Sequence, residues 1–170
     1  MDNDLKATAY HEAGHAVVSY LYDRRFKQVT IEPSDDAAGR VEYYDGLMIG
    51  KILEGTHCNI WLMEHPEEAD KIVVRSVYSA MAGYIAQEMG VPGSVTPEHW
   101  EDDKENIGEI LICIDPENGW DDAESTVRAA LENNWHLVEC LAEALLEKRT
   151  ISGKEARSIL SALSSQTVST

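Results

Sequence analysis

Positive charge is what this sequence has least of. Fourteen lysines and arginines face 31 aspartates and glutamates, a formal net charge of −17 at pH 7 over 170 residues. Such a field repels nucleic-acid phosphates and anionic membrane surfaces, so neither is an expected partner. Cysteine is scarce as well. Cys58, Cys113 and Cys140 are odd in number, far apart and without a C-x-x-C pair. That argues against a disulfide framework and a cysteine-rich zinc site, and leaves each as a small apolar residue. No apolar run approaches the roughly 20 residues that span a bilayer. The opening MDNDLKATAY is too acidic and polar for a signal peptide. A cytoplasmic protein is the expectation. The chain also lacks an internal repeat, and lacks any linker long enough to separate domains.

What is present suffices for one folded domain over residues 1–170. Apolar residues make up 44% and charged residues 26%, enough for a core without staples. From Leu5 to Leu21 small and apolar residues recur at helical spacing, with Asp4 as N-cap. VTIEP (Val29–Pro33) and RVEYY (Arg40–Tyr44) flank the turn-rich SDDAAG and predict two short paired strands. Gly50 to Met63 leans towards helix. Pro66 opens a helix for which Gly90 is the stop, with Gly83 in a run of small residues that lets another helix approach closely. Glu101 to Ile114 predicts a third helix with Ile107, Ile110, Leu111 and Ile114 on one face. A fourth, from Asp121 to Lys148, carries the stripe Trp135, Val138, Leu141, Ala142, Leu145 and Leu146. Gly153 introduces a short last helix, KEARSILSAL, before a frayed SSQTVST tail. The expected fold is mainly α, with a small β-hairpin.

Within the first helix His11-Glu12-Ala13-Gly14-His15 spells H-E-x-x-H. Residues four apart share a helix face, so both imidazoles project from one side and suit two corners of a tetrahedral zinc site. Glu12, beside the first histidine, is placed to take a proton from a water activated by the metal and pass it to a leaving amine. With six histidines and 19 glutamates, chance alone yields this pattern in about 2% of such chains. Its position inside an independently expected helix strengthens it against two idle histidines on a helix face. Val18 and Leu21 stand where the longer metzincin pattern needs glycine and histidine, which rules that pattern out. His57, His65, His99 and His136 have no partner at ligand spacing and are expected to be structural or on the surface. A downstream carboxylate has to complete the site, and local sequence does not choose among 31 acids.

TAYHEAGHAVV resembles the motif helix in the peptidase domain of FtsH-type ATP-dependent zinc metalloproteases. VTIEP with AAGRVEY is similar to that family's hairpin, AMAGYIAQEMG to its glycine-bearing helix, and LEKRTISGKEARSIL to its closing segment. The likeness spans about residues 4–163, leaving 164–170 as a flexible tail, and implies a zincin-like helical domain. It also implies that an aspartate in WEDDKENIGEIL completes the metal site with His11 and His15. Asp103 is the position that matches, with Asp102 as the alternative and an N-terminal acid favoured by the helix dipole as the plain reading of both. Lys104 stands where the family has a hydrophobic residue, and His99-Trp100 where it has glycine and a small residue.

No G-x-x-x-x-G-K-[ST] loop occurs in these 170 residues, so the family's AAA module is not expected among them. The expectation is thus a zinc metallopeptidase with Glu12 as general base and no ATPase of its own. It would act on loosely folded polypeptide, or be fed by a separate AAA ATPase chain, as a monomer or a homo-oligomer. The other reading, from a different class, is an inactive or metal-stabilised adaptor that keeps the fold. Zinc binding alone has no use for Glu12, which favours the enzyme.

Overall fold

The computed structural model describes residues 3–35, 37–44, 67, 71, 73–96, 104, 107 and 119–167. Helix α1 (Asn3–Leu21) is the centre of the molecule, and from His11 to Ser19 every residue on it is buried. A helix buried on all sides needs small residues where its neighbours come near, and α1 supplies Ala7, Ala9, Ala13, Gly14 and Ala16. Asp4 falls inside its first turn rather than at the cap, because the helix starts one residue earlier.

After a turn at Asp23, which has a positive φ of 53°, the chain forms strand β1 (Phe26–Thr30) and, beyond the turn, β2 (Arg40–Tyr43). The two pair antiparallel, Val29 opposite Val41 and Thr30 opposite Arg40, with an irregularity between Phe26 and Gln28. The expected hairpin is present but belongs to a larger sheet. A third strand, β3 (Thr150–Ser152), pairs antiparallel with the other side of β1, giving the order β2-β1-β3. β1 is therefore central, with Val29 and Ile151 fully buried, and β2 has no strand on its outer side among the described residues.

The helix expected from Pro66 to Gly90 is not uniform. A π-helical turn (Val73–Val77) leads into α2 (Tyr78–Gly90). Gly90 is the last helical residue rather than the stop, and the reversal falls at Gly93, with φ of 77°. Of the expected third helix, Lys104 and Ile107 are described. Both are helical, and Ile107 is buried. Gly50–Met63 and the rest of 101–114 lie outside the described residues.

The single long helix expected from Asp121 to Lys148 is two: α3 (Gly119–Asn133) and α4 (Trp135–Lys148). Asn134 causes the break. Its side-chain amide donates to the Ala130 carbonyl at 2.9 Å, and its own carbonyl accepts from Leu137 N–H at 2.9 Å. Asparagine competes for backbone groups in this way and ends one helix while starting the next. The break turns Trp135 onto Tyr10, ring centroids 5.6 Å apart and nearly parallel. The stripe on α4 packs inward as expected, with Val138, Leu141, Ala142 and Leu145 buried, joined by Leu137. Helix α5 (Gly153–Thr167) continues through the serines expected to fray. No helix among the described residues is long and apolar enough to cross a membrane.

Candidate metal centre

The site is built where α1 and α2 cross closely, running antiparallel. A Cβ on Gly14 would fall 2.4 Å from the Ala82 carbonyl oxygen and 2.5 Å from Ala86 Cβ, so only glycine allows this separation. On the other side of the same contact, a Cβ on Gly83 would lie 2.4 Å from His15 Nε2 and 2.6 Å from His11 Nε2. The small-residue run around Gly83 thus admits a neighbouring helix, and the neighbour is the one that carries the motif.

Both histidines are nearly buried, and both are held through Nδ1 by acceptors on α2. His11 Nδ1 is 2.9 Å from Gln87 Oε1, and His15 Nδ1 is 2.6 Å from the Ser79 carbonyl. A carbonyl only accepts, so His15 carries its proton on Nδ1. The same holds for His11 once the Gln87 amide is oriented, which Ser94 does. The amide nitrogen lies 3.0 Å from the Ser94 carbonyl, an obligate acceptor, and 3.2 Å from Ser94 Oγ, so Oε1 must face His11. In the neutral rings both Nε2 atoms are then lone-pair bearing. They lie within 2.6 Å of one point, with ring centroids 4.6 Å apart. That point is as close to His15 Cε1, at 2.5 Å, as to its Nε2. It therefore marks where the α2 backbone meets the ring edges and not where an ion would sit. Two neighbouring imidazoles with Nδ1 anchored on acceptors, which leaves Nε2 to serve as donor, are the type of ligand pair that zinc takes from histidine. The residues fit the metal that the motif implies.

Glu12 is 4% exposed, beside this pair. The turn before β2 covers it: a Cβ on Gly39 would stand 2.9 Å from Glu12 Cγ, from its Oε1 and from the Thr30 carbonyl. The start of the outer strand is thereby fixed against the candidate base.

A second layer joins the far end of α1 to β2. Ser19 Oγ donates to the His15 carbonyl at 2.6 Å, so in its 3.1 Å contact with Ser19 the Tyr43 hydroxyl is the donor. Burial raises the Tyr43 phenol above its ordinary pKa, partly offset by the nearby Arg24 guanidinium. Arg24, 7% exposed, stacks its guanidinium 3.5 Å from the Tyr43 ring centroid. It also donates to Ser79 Oγ at 2.5 Å and to the Arg75 carbonyl at 3.2 Å. Ser79 is thus gripped on its hydroxyl while its carbonyl holds His15.

The structure places His11, Glu12 and His15 on the buried stretch of α1 that faces α2. Asp103 and Asp102 lie outside the described residues, and among those described no three His, Cys, Asp or Glu side chains form a metal-binding group. His136 is exposed, as a surface role expects, while His57, His65 and His99 lie outside the described residues. Cys140 is half-buried with its thiol pKa raised by burial and by Glu143, which suits an inert residue. Gln87, Ser79, Arg24, Tyr43 and Gly39 were not singled out from sequence. One signal for two of them was there: Ser79 and Gln87 stand in an i, i+4, i+8 line with the already noted Gly83 on a mostly apolar helix. Compared with models of known families and with curated proteins, the chain finds no match.

Proposed function

We propose that the chain is a zinc-dependent metallopeptidase that hydrolyses polypeptide bonds with Glu12 as general base. The observation that carries this reading is the pairing of two Nδ1-anchored imidazoles with a buried carboxylate at the next position. The FtsH-type resemblance of the motif helix, the hairpin and the closing segment supports it. His11 and His15 would hold the ion through Nε2, and Asp103, or alternatively Asp102, would complete its protein ligands. When bound, zinc supplies a Lewis acid that polarises the scissile carbonyl and acidifies water.

The remaining work belongs to side chains and backbone. Glu12, held under Gly39, accepts the proton of the attacking water and returns it to the leaving amine nitrogen. The outer edge of β2, starting at that same turn, is suited to pair with an extended substrate and so fix the register of the scissile bond. This geometry serves any loosely folded polypeptide, and the resemblance suggests a separate AAA ATPase chain as a partner that would unfold others.

The test is cleavage of casein by the zinc-supplemented protein against its Glu12→Gln variant, with bound zinc counted in both. Turnover that disappears in the variant while zinc stays bound supports the peptidase. Zinc bound in both and turnover in neither rejects it in favour of a metal-stabilised binding module. No zinc in the wild-type protein rejects the metal centre itself.

A further inference from the structure

Beyond the metal centre, the outer strand leads to a second feature. We propose that the cleft at the end of β2 is a subsite that binds an acidic side chain of the polypeptide substrate. For the peptide this rests on the metallopeptidase reading, and for the charge it rests on the cleft alone.

The cleft, of about 270 Å³, is lined by Asp23, Arg24, Arg25, Tyr44 and Arg75. In a chain with 14 cations against 31 acids, three arginines around one opening are a strong local reversal of sign. Among the described residues that line it Asp23 is the one acid, and its carboxylate is directed to Arg157, 3.7 Å away. Lys27, Arg128, Lys148 and Arg157 all take part in ion pairs. Among the described residues Arg25 and Arg75 do not. Arg24 is clamped by Tyr43, Ser79 and the Arg75 carbonyl, which gives the cleft a rigid cationic floor. Arginine's planar fork matches a carboxylate through two parallel hydrogen bonds, which lysine does not offer.

Continuity with β2 identifies the ligand as a segment of peptide. The strand begins where Gly39 covers Glu12, and its ladder ends where Tyr44 N–H reaches the Arg25 carbonyl at 3.4 Å. A chain laid along that edge at about 3.3 Å per residue passes from the catalytic carboxylate to the cleft in about 16 Å. The residue read there is therefore four to six positions from the scissile bond. The net charge of −17 disfavours acidic substrates at a distance. Screening within about 8 Å at physiological salt leaves the decision to the arginines at contact.

The test uses C-terminally amidated peptides that differ by Glu or Gln at four to six residues on either side of a cleaved bond. A third series has no internal acid but a free C-terminal carboxylate. Each is measured twice: as kcat/KM with the zinc-loaded protein, and as Kd by fluorescence anisotropy with Glu12→Gln. The Glu peptide is expected to win by about tenfold, as a charge-assisted pair allows. The Glu/Gln ratio should fall towards one in an Arg25→Gln, Arg75→Gln double variant whose thermal midpoint matches the wild type. It should persist in Lys154→Gln, which removes a cation on α5. Equal Kd values for Glu and Gln peptides overturn the cleft, even if hydrolysis proceeds. A preference carried only by the free terminus overturns the side-chain assignment. Discrimination in Kd with no hydrolysis of any peptide leaves the cleft standing and rejects the peptidase.

Discussion

Glu12 and Gln87 do different work on the same pair of histidines, and each can be removed separately. Glu12 depends on Gly39 for its place. An alanine there puts a methyl group 2.9 Å from the Glu12 side chain and from the Thr30 carbonyl. The side chain can swing aside but the carbonyl cannot, so Glu12 is displaced and the turn at residue 39 shifts off the Thr30 carbonyl. Gly39→Ala is expected to lower casein turnover by roughly a hundredfold, at the lower end of what general-base catalysis contributes. Zinc content should stay at the wild-type level, because neither imidazole is touched. Gln87→Leu has the opposite signature. It removes the acceptor of His11 Nδ1–H and leaves a buried donor unmet, at a cost of about 1–3 kcal/mol. Zinc affinity is expected to fall about 10- to 100-fold, as for other outer partners of ligating histidines, measured by competition with a chelator. An unchanged affinity in that variant would show that Gln87 does not fix the ring.

At the scale of elements, the site is a property of the α1–α2 contact. Gly14→Ala lies between the two histidines in sequence but faces α2, where its methyl would overlap the Ala82 carbonyl and the Ala86 side chain. Overpacking of this kind costs about 1–3 kcal/mol. Here it also separates His11 from Gln87 and His15 from Ser79, so urea stability and zinc affinity should drop together. A loss of stability with full zinc affinity would mean that the anchors follow the helix. This coupling explains what was legible beforehand. H-E-x-x-H needs only the local 3.6-residue period, and so do the apolar stripes of α1 and α4. The partners on α2 need the register between two helices 64 and 76 residues apart in sequence, which no local pattern encodes. The break at Asn134 was hidden for a related reason. One side-chain amide turning back on the Ala130 carbonyl outweighs an apolar period that runs straight through it. β3 was missed because three residues, Thr150–Ser152, are too short to show alternation. What places them is β1, more than a hundred residues earlier. Asp102 and Asp103 rest on the resemblance alone.

The whole molecule carries its charge unevenly: strongly acidic in total, with the arginines of the β2 end as an island. Among the described residues, ion pairs such as those between Lys27 and Glu42 or Lys148 and Glu155 are surface-exposed. Pairs of that kind contribute little. The pH response should therefore be governed by partly buried groups rather than by salt bridges, and on the alkaline side those are mainly phenols, with the Cys140 thiol. Burial raises the pKa of Tyr10, Tyr22, Tyr43 and Tyr84 above the ordinary value of 10.0. A group whose folded pKa lies above its unfolded value releases its proton more readily when unfolded. Its contribution to stability is complete below about pH 10 and is lost as pH climbs towards the folded value. Four such groups act in the same direction, so after a small onset from the Cys140 thiol above its ordinary value of 9.0, stability should fall above pH 10 with a slope that steepens over the next unit. Deprotonation of lysine also adds repulsion in that range, but it would not make the phenols ionise together. Near-ultraviolet tyrosinate absorbance followed against far-ultraviolet circular dichroism separates the two. Tyr10, Tyr22, Tyr43 and Tyr84 should ionise in one step coincident with loss of helix. If most of the tyrosinate signal appears while the helices persist, the phenols are not the groups that hold the folded state together at high pH.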